Sequence, residues 1–118
     1  MQYKTNESEY RFLCILWEIE PIRSPDLVKI CLDKFGWKKS TTYTVIKNLM
    51  HKKIVKNMNT IVTTLVPKEQ IVKQETELFL RKTFNGNIPD LLTTFLKDRK
   101  ISVEEAEKLK KIIEEATN

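Results

Sequence analysis

The hydrophobic period of this chain changes at residue 54, and that change limits the folds open to it. Before it, apolar residues recur at helical spacing. From 54 to 67 the sequence runs IVKNMNTIVTTLVP, dense in β-branched residues with Asn57 and Asn59 at its middle. Such a segment reads as two short strands joined by a turn. The turn has no glycine, so an irregular or mobile connection is expected. From 68 onward the helical period returns. The fold class that follows is mostly α with a small β-hairpin.

Three helices precede the hairpin. Asn6 can cap the first, with Glu9 three residues on in a capping-box arrangement. Phe12, Leu13, Leu16 and Trp17 follow at helical spacing, and Glu20-Pro21 ends the run because proline disfavours a helical residue before it. Ser24-Pro25 reads as the cap and first position of a second helix. Leu27, Val28, Ile30, Cys31 and Phe35 supply its apolar positions, and Gly36 its stop. The third helix covers about 40–52, with Val45, Ile46, Leu49 and Met50 as one apolar stripe. Its other face carries Ser40, Thr41, Thr44, Lys47, Asn48 and His51, all polar and none acidic.

After the hairpin, Ile71, Leu78 and Phe79 mark a helix over 68–84, broken by Asn85-Gly86-Asn87. Leu91, Leu92, Phe95 and Leu96 mark a shorter one. Ser102 and Glu105 form a second capping box, opening a last helix with Ala106, Leu109, Ile112 and Ile113 facing inward. Two regions are expected, 1–67 and 68–118.

Charge separates the same two regions. Residues 1–66 hold eleven Lys/Arg and six Asp/Glu, whereas 67–118 hold ten of each. From Lys34 to Lys68 there are eight lysines, no arginine and no acid. A merely solvated helix face mixes both signs; a one-signed basic surface has an electrostatic reason to meet a polyanion.

Several function classes are disfavoured. There is one histidine, His51, and two cysteines, Cys14 and Cys31, without a CxxC or Cys/His cluster, so neither a metal site nor a cofactor is expected. The cysteines read as small buried hydrophobes. No Gly-rich phosphate loop or GxSxG-type turn suggests an enzyme, and Glu104, Glu105 and Glu107 read as the exposed first turn of a capped helix. No stretch has the roughly 18 apolar residues of a membrane span. The opening MQYKTNESEY lacks the apolar core of a signal peptide. A cytoplasmic location is the expectation.

Three helices, then a hairpin, with the third helix polar and basic outside, is the order of a winged helix-turn-helix domain. Its recognition helix fits the major groove of double-stranded DNA. Thr41 and Thr44 offer hydroxyls and methyls to bases; Tyr43 offers a ring and hydroxyl, or equally packs against Trp37. Lys38, Lys39, Lys47, Lys52, Lys53 and Lys56 can reach phosphates, and Ser40 adds a hydroxyl beside the free N–H groups of the helix start. Trp17 and Trp37 read as core residues. The alternative is a basic helical adaptor that meets an acidic protein.

These residues resemble the penicillinase and methicillin-resistance repressor family, which includes copper-responsive repressors. Glu9 to Trp17 is similar to its first-helix signature. Trp37-Lys-Lys-Ser-Thr-Thr-Tyr-Thr-Val-Ile-Lys-Asn-Leu is similar to its recognition-helix motif, and Leu91-Leu92-Thr93-Thr94-Phe95-Leu96 to an apolar segment of its dimerising helices. The resemblance implies a homodimeric repressor on a palindromic operator, paired through Ile71, Leu78, Phe79, Leu91, Leu92, Phe95, Leu109, Ile112 and Ile113. In the resistance branch a membrane sensor-protease for β-lactams leads to cleavage before a phenylalanine, matched here by Phe95. Thr94 stands where those repressors carry asparagine. Asn48 replaces a common arginine, and Lys38 a common capping Ser or Thr. The wing lacks the usual Gly-Arg pair, so weaker wing contacts are expected. The copper branch's C-terminal cysteine pairs are missing.

Overall fold

A computed structural model describes residues 3–118; Met1 and Gln2, part of the opening stretch read for a leader, lie outside them. The order is α1 (Glu7–Ile19), β1 (Ile22–Arg23), α2 (Ser24–Phe35), α3 (Lys39–His51), β2 (Val55–Met58), β3 (Ile61–Thr64), α4 (Lys68–Phe84), α5 (Ile88–Leu96) and α6 (Val103–Ala116). The described residues form two units, one up to Thr76 and one from Glu77, so the break falls within α4.

In the first unit, local sequence sets the helix ends. Asn6 accepts the Glu9 N–H while the Glu9 carboxylate accepts the Asn6 N–H, the full capping box. α1 stops at Ile19, just before Glu20-Pro21. Gly36 closes α2 at φ +70°, a left-handed conformation that glycine adopts without steric cost. Ser24 departs from its predicted role: it is the first helical residue, Arg23 occupies the cap position, and no side chain caps α2. Tertiary structure claims Ser24 instead. Its N–H donates to the Thr60 carbonyl at 2.8 Å, and its side chain is buried.

The hairpin gains a third strand. The sheet is antiparallel in the order β1-β3-β2, with Val55 opposite Thr64, Met58 opposite Ile61, and Ile22 opposite Val62. A two-residue strand is too short to show alternation, so the sequence pattern did not mark β1. The turn also corrects the expectation of irregularity. Asn59 and Thr60 both have positive φ, +53° and +68°, in a regular two-residue connection. Left-handed residues at both positions match the right-handed twist of the strands. Asparagine tolerates this conformation, and Thr60 is held in it by the Ser24 N–H on its carbonyl.

The core joins Phe12, Leu13 and Leu16 of α1, Leu27 and Cys31 of α2, Val45, Ile46 and Leu49 of α3, and Ile54, Val55, Val62 and Val66 of the sheet region. Each large apolar side chain there contributes about 1.5–3 kcal/mol by leaving water. Trp17 packs against this core, and its indole Nε1 donates to the Val66 carbonyl at 3.2 Å. Ile71, predicted for the pairing surface, belongs to the same core at 1 % exposure. It lies one turn into α4, where the helix still packs on the first unit. Met50, predicted for the apolar stripe of α3, is instead exposed.

In the second unit, Gly86 (φ +81°) ends α4, donating its N–H to the Leu80 carbonyl. Asn87 caps α5 by accepting the Asp90 N–H at 3.0 Å, and Pro89 sits in the first turn. Ser102 caps α6 by accepting the Glu105 N–H at 3.0 Å. No residue of α5 or α6 is buried. Leu91, Leu92, Leu96, Ala106 and Leu109 are half-covered, while Phe79, Phe95, Ile112 and Ile113 are each more than half exposed.

Candidate nucleic-acid interface

The arrangement of α3 follows from its 100° step per residue. Thr42, Val45, Ile46 and Leu49 fall on one side, and all four are buried. Ser40, Thr41, Thr44, Lys47, Asn48 and His51 fall on the opposite side, and all six are exposed. The polar face predicted from sequence is therefore a single outward surface. Thr42 decides the register: a one-residue rotation would turn Thr41 inward.

The start of α3 is electropositive. Lys38 occupies the cap position without a side-chain bond to the helix, and the first turn contains no acid. The free N–H groups there carry the positive end of the helix dipole, beside the exposed Lys38, Lys39 and Ser40. An incoming phosphate would satisfy those donors. At the other end, Lys47, Met50 and His51 line a shallow hollow of about 270 Å³.

Two predicted contact residues have other partners. Tyr43 is half-buried and its hydroxyl donates to Ser24 Oγ at 3.4 Å, so it ties α3 to the start of α2. Its ring also lies 6.0 Å from the Lys39 ammonium, at the limit of a cation–π contact. Lys52 has the more definite intramolecular partner. Its Nζ lies 2.6 Å from Glu9 Oε1, and the Glu9 side chain is only 2 % exposed. A buried carboxylate needs a compensating cation, so this ammonium is engaged by Glu9, although the Lys52 side chain itself remains 36 % exposed. Lys53 and Lys56 remain exposed, the latter on β2 opposite Thr63.

Beneath the helix start lie Phe35 and Trp37, both read from sequence as apolar or core residues, and Arg11, which was not. Phe35 and Trp37 pack with ring centroids 4.8 Å apart, and the Arg11 guanidinium lies 4.3 Å over Phe35. The stack fixes the approach to α3. Arg11 is solvent-exposed on α1 and gave no local signal. Beneath α3, burial pushes the Cys31 thiol pKa up, and the neighbouring Thr42 hydroxyl pulls it weakly the other way. The thiol is thus a neutral core group. Among the described residues, no cluster of His, Cys, Asp and Glu could hold a metal ion, and no helix is long and apolar enough to cross a membrane.

A family model described as penicillinase repressor matches residues 5–115. The chain belongs to the penicillinase repressor family. A penicillinase repressor of Bacillus licheniformis is 20% identical over 117 residues, covering 96% of this chain and 91% of that protein. The fold is also that of a solved regulator, MepR, described as a transcription regulator of the Staphylococcus aureus multidrug efflux pump MepA. That likeness has a TM-score of 0.50 at 16% identity and covers 93% of this chain and 75% of the other. As a penicillinase repressor family member, the protein is a DNA-binding transcriptional regulator and not an enzyme.

Proposed function

We propose that this protein represses transcription as a homodimer on a palindromic operator. The outward face of α3, with Thr41, Thr44, Lys47 and Asn48 exposed together and no acid among them, is the observation that carries the reading role. Thr41, Thr44 and Asn48 meet base edges. Lys38, Lys39, Lys47, Lys53 and Lys56 meet phosphates, with Ser40 at the helix start.

The second unit supports the dimer. A unit with no buried residue in α5 or α6 lacks a core of its own. A second copy would cover Leu78, Phe79, Leu91, Leu92, Phe95, Leu109, Ile112 and Ile113. Two copies of α3 would then address half-sites about 34–36 Å apart, one turn of DNA. The unit up to Thr76 and the unit from Glu77 would then divide reading from pairing, nine residues later than the 67/68 boundary expected from sequence, and repression is occupancy of a promoter.

Release follows from weakening the dimer. One route is cleavage between Thr94 and Phe95 by a sensor-protease, which would cut the pairing surface in two. Both residues are exposed but lie inside α5, so the helix must open locally before the bond can be cut.

Binding of labelled duplex across a salt series tests the reading. Five free lysines per protomer give a log–log slope of about −4.5 per half-site. Replacing Thr41, Thr44 and Lys47 together by alanine should abolish the preference for a duplex selected by the wild-type chain. Unchanged preference would refute α3 as the reading helix. Equal competition by polyglutamate would favour an adaptor for an acidic protein.

A further inference from the structure

Lys52 stands where α3 ends. Its backbone N–H closes the helix on the Asn48 carbonyl at 3.1 Å, and its side chain crosses to α1. The carboxylate it meets cannot swing. Glu9 Oε1 also accepts the Asn6 N–H at 2.9 Å, and the Glu9 N–H is held by Asn6 at 2.8 Å. Glu9 is nearly inaccessible, on the face of α1 that carries Phe12, Leu13 and Leu16 into the core. An acid on that face contributes no packing that an apolar residue would not supply better. Its placement makes sense as an anchor for a cation arriving from α3.

We propose that Glu9 and Lys52 are positioning residues, whose ion pair fixes the tilt at which α3 presents Thr41, Thr44 and Lys47 to DNA. This rests on the reading of α3 as the recognition helix. At its start, α3 is held by the Tyr43–Ser24 bond and approached through the Phe35–Trp37 stack. At its end, the Glu9–Lys52 pair is its charged tie to α1. Base-reading side chains must lie within about 0.5 Å of their productive positions, and a small tilt of a 13-residue helix exceeds that. Because its charge is offset by Glu9, Lys52 should contribute little to phosphate binding.

The test uses the full-length chain, a duplex recovered by the wild-type protein from a randomised library, and a shuffled duplex of the same composition. Lys52→Met removes the tie but also leaves Glu9 without its cation, so its Tm should fall. The Glu9→Gln/Lys52→Met double variant removes both charges, and glutamine still serves the capping box, so its Tm should recover. Both variants should lose about tenfold on the selected duplex and less than about twofold on the shuffled one, with the salt slope unchanged. Lys52→Arg should keep the preference.

A salt slope smaller by about 0.9, with equal loss on both duplexes, would make Lys52 a phosphate contact and overturn the proposal. Recovery of both Tm and preference in the double variant would reduce the pair to a stabilising role and overturn it equally. A wild-type chain with no preference for any duplex would overturn the reading of α3 as well as this inference.

Discussion

In the first unit, apolar faces from α1, α2, α3, the sheet and the start of α4 meet around side chains such as Phe12, Leu16 and Leu49 that are wholly withdrawn from solvent. In the second, α5 and α6 are at least as clearly amphipathic, yet neither buries a single residue. Phe95, Ile112 and Ile113 remain more than half exposed. Side-chain caps occur in both units, Asn6 on α1 and Asn87 and Ser102 on α5 and α6, so capping does not account for the difference. The difference is closure: one unit completes its core from its own chain, and the other leaves its apolar faces open. A domain that must read DNA needs rigid geometry from itself alone. A surface that pairs reversibly needs apolar area left over.

The sharpest way to break this contrast is to damage the closed unit. Phe12→Ala should cost about 3–5 kcal/mol, enough to unfold much of the chain, and denaturant titration would read the loss. A cost below about 1 kcal/mol would mean that the first core is not closed. In the second unit the corresponding change should act on association instead. Ile112→Lys with Ile113→Lys should weaken the dimer at least a hundredfold, about 2.7 kcal/mol. Sedimentation equilibrium would read it, with the first unit still folded. If those lysines left association intact, the exposed face would not be the pairing surface.

On the reading surface the effects are smaller. Thr44→Ala should lower affinity for the selected duplex by about 1–3 kcal/mol while sparing the shuffled one. Lys56→Ala should weaken both alike and reduce the salt slope by about 0.9. Titration of the core beneath α3 gives a further handle. Burial holds the Cys31 pKa above its ordinary 9.0, so the folded state prefers the neutral thiol. That preference is fully present below the unfolded value and is lost as pH rises through the raised one. Stability should fall above pH 9.0 by no more than about 1.4 kcal/mol per unit from this group. Cys31→Ala should flatten that slope in alkaline denaturation curves.

The fold was legible where local rules decide it. Both outer caps, Asn6 and Ser102, and the whole of α4 lie where capping pattern and apolar period place them. The outward face of α3 was legible because its lysines and threonines come without acids over a whole charge-free-of-carboxylate stretch. What escaped needed partners distant in sequence. β1 exists because β3 is there to pair with it, and Ser24 leaves its capping role for Thr60 and Tyr43. Lys52 looked like its neighbours because its carboxylate lies 43 residues earlier. One sign was available: Glu9 precedes Phe12, Leu13 and Leu16 at helical spacing, so an acid shares the buried face and must find a cation.

The wing supplies the smallest test, and it bears on how the closed unit is held. Thr60 sits at φ +68°, where a β-branched residue is strained by about 1–3 kcal/mol. Thr60→Gly would relieve that strain, at an entropic cost of about 0.4–1 kcal/mol in the unfolded chain. The Ser24 N–H bonds to the carbonyl of residue 60 and not to its side chain, so the tie to α2 survives the change. Asn-Gly is moreover the dipeptide that most favours this turn. A net gain of about 0.5–1 kcal/mol is expected, read as a higher denaturation midpoint with an unchanged slope. A loss of stability would show that the Thr60 methyl and hydroxyl contribute more than the left-handed backbone costs, and that the sheet, rather than the turn, sets the hairpin's geometry.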